Sequence, residues 1–187
     1  MQKPAETTLD LSPVIKNRWS PRAFDSRPVE ERKLQAVLEA ARWAASAFNE
    51  QPWRFVVGRK GDEKYDIILQ SLIDWNRQWA QKAPVLILNL AKSNFSHNGK
   101  PNVTALYDLG QAVAQMALEA VHQGLVSHQM SGFDPAKAVD RLDIPKGFQA
   151  VSVIAIGYYG KAQELPEDMQ KSEVAPRRRI PVEELLF

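Results

Sequence analysis

The sequence predicts an α+β domain in which helices pack about a small central sheet. Three observations carry this. Apolar residues three and four apart recur through the first half and again over 106–124. Only a few separated apolar runs, such as 85–88 and 151–156, have the length and composition of buried strands. The 187 residues contain no repeat, low-complexity tract or linker, which suits one domain with a substantial core.

The elements follow in order. A first helix opens at Ser12-Pro13, with Ser12 as N-cap and Pro13 at the first helical position. It ends near Trp19-Ser20-Pro21, because a residue ahead of proline is pushed out of helical geometry. After Pro28 a second helix sets Leu34, Val37, Leu38, Ala41 and Ala45 on one face and stops in the polar stretch 46–52. A strand over 53–57 ends at Gly58. Asp62 caps a third helix whose shared face holds Tyr65, Ile68, Leu69, Leu72, Ile73 and Asn76. Residues 84–88 read as a strand buried on both sides. The clearest helix, 106–124, carries the stripe Leu109, Val113, Met116, Ala117, Ala120 and Val121, with Gly124 as its left-handed stop. A short strand at 125–129 comes next, then a helix opened by Asp134-Pro135 that ends before Ile144-Pro145, then a second buried strand at 150–157. From Lys161 the chain is proline-rich and charged, and it finishes in an amphipathic stretch at 182–187. Leu185, Leu186 and Phe187 there need a cover, most simply a partner subunit.

Composition excludes several functions. A net charge of +2 is too small for a protein that tracks nucleic-acid phosphates. With no cysteine there is no disulfide, thiolate catalysis or cysteine-ligated metal. Residues 1–11 hold no apolar core of signal-peptide length, and no apolar run reaches membrane-spanning length. The expectation is a cytoplasmic protein with neither a membrane nor a nucleic-acid partner.

Three clusters carry chemistry. In Arg18-Trp19-Ser20-Pro21-Arg22 two guanidiniums flank a hydroxyl in a stiff segment, a donor set that matches phosphate oxygens; the bland alternative is a solvated basic turn. In Pro176-Arg177-Arg178-Arg179-Ile180-Pro181 the prolines imply an extended segment, so Arg177 and Arg179 face one way and Arg178 the other. Converging with Arg18 and Arg22, they would suit a doubly charged phosphate monoester. A basic tail is the alternative. In Ser46-Ala47-Phe48-Asn49-Glu50-Gln51-Pro52-Trp53 amides that donate and accept suit a ring of alternating carbonyl and N–H groups, or else cap a helix and turn the chain. His97, His122 and His128 are scattered and read as surface or structural, so no Ser-His-Asp or metal arrangement is present.

Together these clusters resemble the nitroreductase family of FMN-dependent oxidoreductases. The resemblance runs from Arg18-Trp19-Ser20-Pro21-Arg22-Ala23-Phe24 and the 46–53 block through Lys82-Ala83-Pro84-Val85-Leu86-Ile87 and Asp108-Leu109-Gly110-Gln111. It continues with Gly124-Leu125, Ser131-Gly132-Phe133-Asp134, Leu142-Asp143-Ile144-Pro145, Ile156-Gly157-Tyr158 and 177–184, nearly the whole chain in the family's order. It implies a mostly antiparallel central sheet surrounded by helices in an intertwined homodimer. The single FMN-binding domain would span 1–187, its extension from about 161 packing on the partner. Arg18, Trp19, Ser20 and Arg22 would hold the FMN phosphate and ribityl chain, with Arg177 and Arg179 closing from the tail. Ser46, Ala47 and Asn49 would come from the opposite subunit, Asn76 would meet the pyrimidine edge, and the Ser131 and Gly132 N–H groups the N5/O4 edge.

Hydride chemistry belongs to the flavin, so no protein nucleophile is expected. Without a Gly-x-Gly-x-x-Gly, NAD(P)H and an electron-poor acceptor would share one open pocket in ping-pong turnover. Ala45, Ala47, Ser131 and Trp79 depart from common family residues, and 94–103 is short where larger members build a lid. These departures bear on acceptor choice. The alternatives are a non-catalytic flavin-binding module and a reductive dehalogenase-type flavoenzyme.

Overall fold

The computed structural model describes residues 3–187. Among them the elements are α1 (Pro13–Asn17), β1 (Phe24–Asp25), α2 (Glu31–Arg42), β2 (Trp53–Arg59), α3 (Glu63–Ser71), α4 (Asp74–Ala80), β3 (Val85–Lys92), α5 (Ala105–His122), β4 (Val126–Met130), α6 (Pro135–Arg141), β5 (Phe148–Tyr159) and α7 (Glu167–Val174). Short 3-10 turns lie at Ala47–Asn49, Ala162–Glu164 and Val182–Leu185. The five-stranded sheet is antiparallel in every pair, so the α+β class and the antiparallel sheet both hold. β3 lies between β2 and β5, and β4 runs along the other edge of β5, with Met130 opposite Val153.

Alternation divides the core between the two faces of this sheet. Leu86, Leu88, Leu90, Val153 and Ala155 pack with Tyr65, Ile68, Trp79, Ala138 and Met169 from α3, α4, α6 and α7. Val85, Ile87, Ile154 and Ile156 pack with Leu34 and Val37 of α2 and Leu109 and Met116 of α5. Helices cover both faces, which is why β3 and β5 read as continuous apolar runs. Gly124 ends α5 at φ +73°, as expected.

Four expectations need correction. The third helix is two: Leu72 and Ile73 adopt extended ψ angles of 145° and 154° between α3 and α4. Tertiary partners cause the break, since Leu72 bridges Phe133 and the Ile73 N–H donates to the Gly132 carbonyl at 3.2 Å. Gly58 does not end β2 but lies inside it, because a Cβ there would sit 2.5 Å from the Tyr65 Cα where α3 crosses. α2 stops at Arg42, leaving Ala45 outside it and exposed. The chain beyond Lys161 is not all extension, because α7 folds back and buries Met169 and Glu173 in its own subunit.

Candidate functional site

Beyond α1 the chain runs extended, and alternation sends successive side chains opposite ways. Trp19 turns inward: it is 8% exposed and packs 5.4 Å from the Tyr159 ring, with the Lys3 ammonium 4.4 Å over its indole. Its side chain is therefore core, and only its backbone is left for a ligand. Arg18, Ser20 and Arg22 take the other side. Arg18 Nη1 donates to Ser20 Oγ at 3.1 Å, and Arg22 Nη1 to Ser172 Oγ at 3.3 Å.

Two groups that sequence reasoning missed hold this segment. The buried Glu173 carboxylate accepts the Arg22 N–H at 3.1 and 3.0 Å and the Ala23 N–H at 3.1 Å. His128, on β4, donates from Nδ1 to the Pro21 carbonyl at 2.9 Å, an acceptor-only partner that sets the tautomer. Burial pushes the His128 pKa down to about 4, so the ring is neutral. No local sequence signal marks either residue, because each acts through a contact more than a hundred residues away.

The tail closes on the same place. Arg177 Nη1 donates to the carbonyls of Lys3 and Lys16, both at 2.9 Å, so this side chain ties tail to α1. Arg18 is held below the usual guanidinium range by burial first, then by the positive charges of Arg177 and Arg179. Arg177 and Arg179, two residues apart, both act on Arg18, in keeping with alternation along 177–179. Among the described residues no carboxylate lies within ion-pairing distance of Arg18, Arg22, Arg177 or Arg179. Close guanidiniums with no carboxylate partner favour an anion between them. The donor set fits the terminal phosphate of a mononucleotide such as FMN.

The break between α3 and α4 forms a second part of the site. Asn76 Nδ2 donates to the Gly132 carbonyl at 3.0 Å. A Cβ on Gly132 would lie 2.6 Å from Ile73 Cδ1 and 2.8 Å from Asn76 Nδ2, so any larger residue would push the ends of those two side chains aside and disturb the Asn76 contact. Asn76, Ser131 and Gly132 are thus brought together. Ser131 and Gly132 follow the end of β4, three and four residues beyond His128, a span of about 10–13 Å along extended chain. Trp79, on α4, packs against His128 with ring centroids 4.5 Å apart and planes tilted by 40°, and its buried indole N–H has no hydrogen-bond partner among the described residues.

Ser46, Ala47 and Asn49 lie elsewhere. Ser46 Oγ accepts the Gln51 N–H at 3.0 Å, and the Ala47 N–H donates to Asp108 Oδ2 at 3.1 Å. Phe48, Asn49 and Gln51 hold left-handed φ angles of 55°, 54° and 50°. This turn leads into β2, which β3 and β5 separate from β4, three strand spacings or about 14 Å. Within one subunit these residues do not join the arginine cluster.

The family model described as the nitroreductase family matches residues 15–82 and 70–158. The chain belongs to the nitroreductase family. This nitroreductase-family chain is similar to a solved crystal structure of an oxidoreductase containing FMN, at 36% identity and a TM-score of 0.92, over 97% of this chain and 93% of the other. It is 26% identical over 210 aligned positions to an NADH dehydrogenase of Thermus thermophilus, covering 96% of each. It is 23% identical over 206 positions to the major NAD(P)H-flavin oxidoreductase of Aliivibrio fischeri, covering 86% of this chain and 93% of that one. The matched region takes in Arg18, Ser20, Arg22, Asn76, Ser131 and Gly132, while the arginines of the tail lie beyond it.

Proposed function

We propose that this nitroreductase-family protein is an FMN-dependent oxidoreductase that carries hydride from NAD(P)H to a small electron-poor acceptor, a nitroaromatic or quinone, by ping-pong turnover as a cytoplasmic homodimer. The observation that carries the reading is the set of guanidiniums around Arg18 with no carboxylate to neutralise them. FMN, once bound, supplies the hydride chemistry at its N5.

The chain's own residues bind and orient. Arg18, Ser20, Arg22 and Arg179 hold the phosphate, and Arg177 fixes the tail that brings Arg179 in. Asn76 and the Ser131 and Gly132 N–H groups take the ring's polar edge. Ser46, Ala47 and Asn49 reach the site from the second subunit, which accounts for their distance from it within one chain. Exposed Leu106 and Tyr107 on α5, and Val182, Leu185 and Leu186 on the tail, supply an apolar surface for that subunit to cover. No helix among the described residues is long and apolar enough to cross a membrane.

Absorbance of the purified protein and anaerobic addition of NADH test the reading. The expected result is a flavin spectrum that bleaches, one FMN released per chain on denaturation, and a mass twice the 21.1 kDa chain. A colourless protein, or released FAD, would refute FMN binding. Flavin that never bleaches would leave only a binding module.

A further inference from the structure

Phe48 is the most exposed aromatic side chain in the body of the fold, 83% accessible, on a backbone held at φ 55°. A phenylalanine in the left-handed region is strained, and such strain persists only where the surroundings impose it. Here they do. Glu50, whose side chain is only 5% exposed, accepts both the Ser96 N–H at 2.7 Å and the Ser96 hydroxyl at 2.5 Å, with Lys92 3.7 Å and His97 3.9 Å away. That carboxylate staples the turn before β2 to the tight loop 94–101, which closes on itself through Asn94 and Gly99. The staple brings three rings together: Phe48 to Phe95 at 5.8 Å edge-on, Phe48 to His97 at 5.7 Å, and Phe95 to His97 at 5.3 Å.

We propose that Phe48, backed by Phe95 and His97, is the platform on which a planar aromatic acceptor stacks in the neighbouring subunit's site. This rests on the reading above that Ala47 and Asn49 reach that subunit's flavin. Phe48 stands between them, 3.8 Å along the chain from each, so its ring comes within one side-chain length of the cofactor. A protein partner would be a poorer occupant. The loop around the rings is Asn94, Ser96, Asn98 and Lys100, a polar rim about a small apolar centre, which is the make-up of a ligand site. Phe48 is a specificity-determining residue on this view, and Glu50 a positioning residue that acts through Ser96.

The test is binding to oxidised holoprotein, followed by perturbation of the flavin absorbance. The probes are 2-naphthoate and cyclohexanecarboxylate, which share a charge and differ in planarity. The wild type should prefer 2-naphthoate, and Phe48→Ala should reduce that preference about threefold to tenfold, the worth of one ring stack. Phe48→Tyr should retain it. Glu50→Ala, which frees the loop, should weaken the preference without touching the ring. The ratio of kcat/KM for menadione to that for ferricyanide should fall in step. An unchanged preference in Phe48→Ala overturns the proposal. So does loss of the dimer in that variant, which would make Phe48 a subunit contact. Failure of the underlying reading is separate: the wild type itself would then carry no flavin or never bleach with NADH.

Discussion

Arg177 and Arg179 stand two residues apart on the same side of an extended segment and do different work. Arg177 spends its guanidinium on two backbone carbonyls, whereas among the described residues Arg179 bonds only the neighbouring Arg178 carbonyl. Arg18→Ala and Arg179→Ala should each weaken FMN binding about tenfold to hundredfold, the value of one charge-assisted hydrogen bond. Arg178→Ala should change it less than twofold. Titration of the apo-protein with FMN decides this, and equal losses at Arg178 and Arg179 would refute the division of labour. Arg18, Ser20 and Arg22 were legible in the sequence because donors alternate around a stiffening proline. Trp19, grouped with them there, belongs to the core for the same reason, since alternation sends every second side chain inward.

Among the elements, α2, α5, α6 and the strands β3 and β5 could be read directly, because each depends on its own periodicity and on caps such as Asp134, which accepts the Lys137 N–H. The break between α3 and α4 could not. Its apolar spacing is continuous, and the backbone leaves the helix only because the Gly132 loop offers Ile73 another acceptor. α7 was hidden for a related reason: its length is modest, its composition charged, and its main buried polar group acts at a distance. Glu173→Ala should leave the Arg22 and Ala23 N–H groups buried without an acceptor, a cost of about 2–5 kcal/mol. Urea denaturation measures it, and a change under about 1 kcal/mol would mean that another group can hold the segment. FMN affinity should drop in the same variant as Arg22 loses its position.

For the whole molecule, His128 links stability to pH. Its pKa falls from 6.5 unfolded to about 4 folded, so unfolding takes up a proton between those values. The contribution is fully present above about pH 6.5 and disappears as the pH drops towards 4, about 3 kcal/mol in all. His128→Asn should flatten the pH dependence of the urea midpoint in that window, and an unchanged slope would contradict the assignment. The Glu173 contact also has a consequence in time. Arg22 and Glu173 are 151 residues apart. At the pace of a translating ribosome, about 5–20 residues per second, the first waits some 8–30 s for the second. Throughout synthesis the nascent chain therefore carries its N-terminal arginines without the carboxylate that aligns them or the tail that joins them. On the proposed site, loading with cofactor follows translation, and a message cut short before α7 should yield a polypeptide that binds FMN poorly, which titration of that truncated chain with FMN checks.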